Sequence, residues 1–345
     1  MIRTILFCAC LLFSGNMPGL HAQRIPDNSL HELIRNGIRY SGQQKYTDAL
    51  RTFNRAIQDF PTHPAGYMNK AILLMVKSLD FEIPVEMPVY LELLDKVEQL
   101  GQRMSESTET SAEGLYYRGM ARSYIAYYNF RDGENWLSGL SHGMKATGYL
   151  DDCLESNPKA YDAMTGVGTY KYWKSRNMSF LTWTPLVDDE RYAGIHMLQL
   201  AELKAQYSAQ QATNSLIWIF IEEERWNDAI HSAQTILRRF PSNRLFLWGL
   251  ASAAEGKEDW ALARDAYQRI TASIDKEVIE RRYIEIQARA KIALMSFELG
   301  DKKTAKRECE WVLRQRGIDL SGFTSDGSER IQRRIEEMEE LKTEF

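Results

Sequence analysis

Apolar and small residues recur along this chain three and four positions apart. The stretches they define come in pairs, separated by short polar turns. In the first pair Leu33, Gly37 and Tyr40 mark one helix, Ala49, Phe53 and Ala56 mark the next, and Pro61 closes it. Small Gly37 and Ala49 allow two helices to approach. Tyr40 and Phe53 fill the gap between them, and Pro61 cannot continue a helix interior. Tyr46 stands at the turn. The pattern returns from Gln210 to Pro241, with Phe220 in the first helix, Trp226 at the turn and Ala229 at the small position. It returns again with Trp260, Ala263 and Tyr267, so that both the Trp and the Ala positions repeat after 34 residues. A later copy, from about Arg289 to Gly317, has Gly300 at the turn and Ala305 at the small position. Ala305 follows Ala263 by 42 residues, which predicts that the intervening second helix extends through Ile274 to Glu280. Alternating β-branched runs bounded by tight turns are absent, so no strands are expected.

The middle of the chain is less regular. Pro64 to Leu79 reads as a first helix and Val89 to Arg103 as its second, with a proline-punctuated loop from Phe81 to Pro88. Gly119, Ala146, Leu150, Cys153 and Pro158 fit the pattern if a helix-turn segment, Asn129 to Leu140, is inserted. Gly168, Gly194, Leu198 and Ala201 fit with an insertion holding Asn177 to Val187. Ser105 to Ser111 is a short polar loop. After a Gly/Ser-rich linker, Ser321 to Ser328, Ser328 is positioned to cap a charged helix from Glu329 toward Lys342. Its apolar stripe is Ile331, Ile335 and Met338.

The order Gly37, Tyr40, Ala49, Phe53, Pro61 and the 34-residue period resemble the tetratricopeptide repeat (TPR). A longer stretch carries a more particular resemblance. It includes Asn135-Trp136, Gly143, Tyr149-Leu150, Asn157-Pro158, Tyr161-Asp162-Ala163, Gly166-Val167-Gly168, Tyr170 and Tyr172-Trp173, and it continues through Gly194 to Phe240-Pro241. It is similar to exported bacterial TPR proteins, and more distantly to eukaryotic outer-mitochondrial-membrane and inclusion-body TPR proteins. The resemblance implies an all-α, right-handed superhelical array of antiparallel hairpins, a TPR-like α-solenoid, without a known catalytic site. About six hairpins plus a C-terminal capping helix are expected, because terminal repeats need a polar outer face. The organisation expected is residues 1–22 as signal peptide, 23–320 as the repeat domain with insertions, and 321–345 as linker and cap.

The N-terminus differs from the rest. Arg3 is followed by a short apolar run, Ile5 to Phe13, then a polar stretch to Leu20-His21-Ala22. The run is too short to span a bilayer and has the form of a secretory signal. Cys8 and Cys10 lie within it, which leaves Cys153 and Cys309 as expected core thiols. The protein is therefore expected to be exported, to the periplasm, the outer membrane's periphery or the medium, with no transmembrane segment after processing.

Of the 345 residues, 43 are basic and 47 acidic, a formal net charge of −4. That gives no electrostatic footprint for nucleic acid. The six histidines are scattered, and no His-x3-His or Cys-x2-Cys follows the apolar leader, so neither a metal nor another cofactor is expected. Gly166-Val167-Gly168 lacks the third glycine and the preceding strand of a dinucleotide loop and reads as helix packing. Asp151-Asp152, Asp188-Asp189-Glu190 and Glu222-Glu223-Glu224 lie at helix ends or turns, where solvated acids are common. No catalytic residue is assigned. The aromatics offer more. Trp218 and Trp248, with Tyr172 and Trp173, fall where first-helix residues of such repeats face the concave groove, and Asn214, Glu222 and Ser252 stand beside them. Rings of this type anchor protein partners. The expectation is an exported, non-catalytic scaffold that binds a protein or peptide in its groove. A different reading makes it an envelope or outer-membrane assembly component that makes contact through Phe180 to Pro185. A third reading is an enzyme or small-ligand protein on the same scaffold.

Overall fold

The computed structural model describes residues 28–131, 135–177, 188–274 and 281–345. The expected signal peptide and the Phe180 to Pro185 segment lie outside them. Among the described residues there are fifteen α-helices and no strand. They pair as α1 (Asn28–Gly42) with α2 (Tyr46–Asp59), α3 (Pro64–Phe81) with α4 (Met87–Ser105), α5 (Ser111–Arg131) with α6 (Trp136–Ser156), and α7 (Tyr161–Asn177) with α8 (Arg191–Lys204). The second half pairs α9 (Ala209–Glu222) with α10 (Trp226–Leu237), α11 (Arg244–Gly256) with α12 (Trp260–Ala272), and α13 (Arg282–Glu298) with α14 (Lys302–Leu313). Helix α15 (Ser325–Lys342) caps the array.

Local chemistry sets the helix ends. Asn243, Asp259 and Asp301 each accept a backbone N–H from the first turn of α11, α12 and α14, at 3.3, 3.1 and 3.1 Å. His63 accepts from Ala65 N ahead of Pro64, which opens α3. The turns inside hairpins place Gln44, Glu224, Glu258 and Gly300 at φ of 58, 55, 61 and 75°. Only Gly300 occupies that left-handed region at no steric cost. Packing follows the small positions. Ala49, Ala229, Ala263 and Ala305 are fully buried. A Cβ on Gly37 would fall 2.2 Å from the Phe53 ring. A Cβ on Gly168 would meet the Gly194 carbonyl oxygen at 2.7 Å, so that glycine serves the contact of α7 with α8.

Four expectations are corrected. Seven hairpins are described, not six. Asn129 to Leu140 is not an added helix-turn unit. Its described residues are the outer turns of α5 and α6, each 21 residues long against 12 to 14 in α9 to α12. Helix α12 is not extended but ends at Ala272, and the extra spacing falls between it and α13. The cap starts at Ser325, earlier than expected, because Thr324 supplies the capping oxygen to Gly327 N at 3.0 Å. The stripe of the cap is as read: Ile331 and Met338 are fully buried, and the Cys309 thiol donates to Met338 O at 3.2 Å.

The array also closes on itself. The Asp80 carboxylate, at the end of α3, is bonded by Arg244 Nε of α11 at 2.8 Å and again by Arg244 Nη2. Tyr46 Oη and Gln44 Nε2 also donate to it, at 2.7 and 3.0 Å. Asn243 Nδ2 donates to Gly42 O at 2.8 Å. Thr324 N, before the cap, donates to Glu82 O at 2.9 Å, and Arg330 pairs with the Glu82 carboxylate. Each half lends the other an aromatic side chain: buried Phe81 packs into the C-terminal core, and buried Tyr207 into the N-terminal one. The turns of the first two hairpins are thus fastened to the edges of the fifth to seventh.

Candidate functional site

Two consecutive first helices, α9 and α11, carry the face on which most of the sequence-derived candidates fall. On α9 the least buried strip runs Gln211, Asn214, Trp218, Ile221 and Glu222; on α11 it runs Leu245, Trp248, Ser252 and Glu255. Gln211 and Leu245, Asn214 and Trp248, Trp218 and Ser252, and Ile221 and Glu255 are each 34 residues apart, so the two strips occupy equivalent repeat positions. The opposite faces explain their orientation. Ala212, Leu216, Ile217, Phe220, Leu247, Leu250 and Ala254 are core residues and fix each helix by burial.

Trp218 is 38 % exposed, a large ring left partly in water on a helix whose other large apolar side chains are covered. Asn214 lies one turn before it and Gln211 a turn earlier still; Asn214 Oδ1 and Gln211 Oε1 are buried without a hydrogen-bond partner. An unmatched buried acceptor costs about 1–3 kcal/mol, so these two amides cost stability beneath the open strip. Glu222 is paired with Arg176 of α7 at 2.6 Å, on the solvent side.

On α11 the groups are more committed. Trp248 is half-buried, with its ring edge-on to Tyr267 at 5.4 Å. The Tyr267 hydroxyl donates to Glu255, whose other oxygen accepts from Lys291 Nζ of α13 at 2.6 Å. Burial, then the Glu255 carboxylate, pushes the Tyr267 hydroxyl well above the ordinary tyrosine range, with Ser252 bonding to it in opposition. Tyr267 therefore stays protonated and orients this network.

Tyr172 is not a surface anchor. Its side chain is fully buried, and its hydroxyl donates to Glu223 Oε1 at 2.7 Å, tying α7 to the end of α9. Trp173 is half-buried and stacks edge-on against Tyr172 at 5.1 Å, so it supports the core. Sequence reading missed Asp162. It accepts from the backbone N–H groups of Gln206, Tyr207 and Ser208 at 3.1, 2.9 and 2.8 Å and so holds the entry to α9. Its place beside Tyr161 and Ala163 was visible in the sequence, but nothing local pointed to a partner more than forty residues away.

Among the described residues no group of three His, Cys, Asp or Glu side chains is placed to hold a metal ion. Cys153 and Cys309 are buried free thiols, and burial pushes the Cys153 thiol up to about 12. Among the described residues no helix is long and apolar enough to cross a membrane.

Stacked antiparallel hairpins with a 34-residue period define a helical-repeat solenoid. Residues 202–277 match the tetratricopeptide repeat family model. That match spans α9 to α12, the segment that carries the exposed strips. Such scaffolds are generally non-catalytic and bind protein partners. No curated protein matches the chain. Among solved structures it is similar to a thermophilic TPR protein of Thermus thermophilus, at 17 % identity over 65 % of this chain and 98 % of that one, with a TM-score of 0.41. It is similar to a tetratricopeptide repeat protein of Parabacteroides merdae at 12 % identity, over 91 % and 100 % of the two chains, with a TM-score of 0.39. It is also similar to the human IFIT1 dimer with PPP-AAAA at 12 % identity, over 92 % and 82 %, with a TM-score of 0.33.

Proposed function

We propose that this protein is an exported, non-catalytic scaffold that holds a protein or peptide partner against α9 and α11. The observation that carries the reading is Trp218, partly exposed on the first helix of the repeat-matched segment, one turn from the unmatched amide oxygen of Asn214. A partner side chain laid on the indole removes apolar surface from water. Trp248, held by Tyr267, continues the apolar surface on the next repeat. Ser252 and Glu255 border it.

Export rests on the leader read from Arg3 to Ala22, and a net charge of −4 supports a protein partner over nucleic acid. The test is a photo-crosslinking side chain at position 218 in cells that produce the protein, followed by mass spectrometry of soluble and membrane fractions. A single stoichiometric protein adduct, with the chain's N-terminus starting near Gln23, supports the proposal. Absence of any adduct at 218, with adducts from a probe on another face, contradicts it. A cytoplasmic chain with its leader intact contradicts the export half alone.

A further inference from the structure

We infer that His31 and Tyr207 form an acid-released clasp: a neutral imidazole fastens the start of α1 to the turn between α8 and α9, and its protonation lets the first turns of α1 open. The clasp is built into the fold and does not depend on the function proposed for the α9–α11 face.

The geometry fixes the protonation state of the ring. Tyr207 Oη lies 2.5 Å from His31 Nδ1, and Gln206 Nε2 lies 3.3 Å from the same atom. An amide nitrogen donates and does not accept. The Tyr207 hydroxyl keeps its proton, because burial, then the Asp162 and Glu113 carboxylates, push its pKa above the ordinary tyrosine range, and it supplies that proton to this bond. Nδ1 accepts from both, so the ring is neutral and carries its own proton on Nε2. A second proton, on Nδ1, puts a third donor where two already point. The hydroxyl would have to turn and the Gln206 amide to flip. The charge would also sit in the first turn of α1, where the helix dipole disfavours a cation. Burial, then Arg35 one turn further on, hold the His31 pKa below its ordinary 6.5, with Glu32 opposing them.

The charged and titratable groups that face the clasp are Glu32 and Arg35 on α1, Asp162 on α7, and Glu113 and Tyr116 on α5. His63, bridged to Glu113 at 3.4 Å, is a further histidine at this edge. The part that moves is α1. Asp162 holds the backbone N–H groups of the turn from α7, independently of His31. Asn243 keeps the far end of α1 fastened at Gly42 O. Opening the first turns uncovers Leu30, Ile34 and Tyr207, which are 1, 0 and 5 % exposed and belong to one core. The sign follows from the lowered pKa. The contact is complete above pH 6.5 and weakens by up to about tenfold per pH unit as the pH falls toward the folded-state value.

The test is hydrogen exchange of the purified protein from pH 7.5 to 5, read as protection factors for residues 32–38. Wild type is expected to lose at least about threefold in protection. His31→Asn, which offers an uncharged acceptor near the place of Nδ1, is expected to stay flat, and His63→Asn to follow wild type. A second measurement needs no substitution. Nitrogen-15 NMR of the histidines in wild type is expected to show His31, recognised by its contact with the Tyr207 ring, with its proton on Nε2 and a pKa below 6.5. Protection in wild type that does not change with pH overturns the inference, as does a loss that His31→Asn leaves in place. A neutral ring with its proton on Nδ1, or a His31 pKa at or above 6.5, overturns it as well.

Discussion

Replacing Asp80 by asparagine keeps the side chain's shape and removes its charge, at the point where the first hairpins are fastened to the later ones. In the native chain both side chains of the pair are almost fully buried, at 0 % exposure for Asp80 and 6 % for Arg244. Burial alone disfavours the Arg244 charge, but the hydrogen bonds and charge of Asp80 outweigh it and hold the guanidinium above its ordinary range. The substitution leaves Arg244 charged, with Ser273 O at 3.3 Å as its other acceptor and its guanidinium 5.3 Å from the Phe81 ring. It also turns an amide N–H toward groups that were donating. Removing one partner of a buried pair costs about 3–5 kcal/mol. Replacing both, as in D80L/R244M, is expected to land within about 2 kcal/mol of wild type, because no charge is stranded. Urea unfolding of wild type, D80L, R244M and D80L/R244M, followed by circular dichroism, gives the four corners of the double-mutant cycle, with D80N measured beside them. Hydrogen exchange should show α1 to α3 opening first in D80N, because the lost contact holds those helices rather than the core of α9 to α14. A cost below about 1 kcal/mol for D80N, or uniform loss of protection along the chain, would refute the claim that this pair closes the array.

Three further outcomes are expected. Trp218→Ala should weaken partner binding at least tenfold and shift the unfolding midpoint little, because the ring is partly in water; equal loss of stability would make it a packing residue. Gly168→Ala should destabilise by about 1–3 kcal/mol in urea unfolding, since a methyl there meets backbone at 2.7 Å, and a neutral result would mean that α7 and α8 separate freely. Above about pH 7 stability should be flat to about pH 10 and then fall, because Tyr46, Tyr116, Tyr267 and Tyr283 are all held above the ordinary range, chiefly by burial, with Tyr283 at about 12. The folded chain keeps those protons while the unfolded chain loses them. Each group therefore removes up to about 1.4 kcal/mol per pH unit between its unfolded and folded values. A denaturation midpoint unchanged from pH 9 to 11.5 would contradict this.

Much of the repeat architecture is legible in the sequence because its determinants are local. Gly37 against Phe53, and the Trp226–Trp260 and Ala229–Ala263 spacings, belong to single hairpins or neighbours, so a 34-residue ruler finds them. The count of hairpins fell short where α5 and α6 lengthen to 21 residues and the ruler slips. The closure by Asp80 and Arg244 joins residues 164 positions apart. It depends on the rotation summed over every intervening repeat, which no local pattern records. At the candidate site the same division holds. Trp218 was placed on the open strip by its repeat position. Tyr172 and Trp173 are adjacent on one helix and point about 100° apart, and composition did not reveal that the tyrosine turns inward.

The central claim is that α9 and α11 present the binding face. Hydrogen exchange on the protein alone and on its crosslink-identified complex tests it directly. The account predicts added protection concentrated in Ala209–Glu222 and Arg244–Gly256, and its loss in Trp218→Ala. Protection confined to other helices, or unaffected by that substitution, would contradict it.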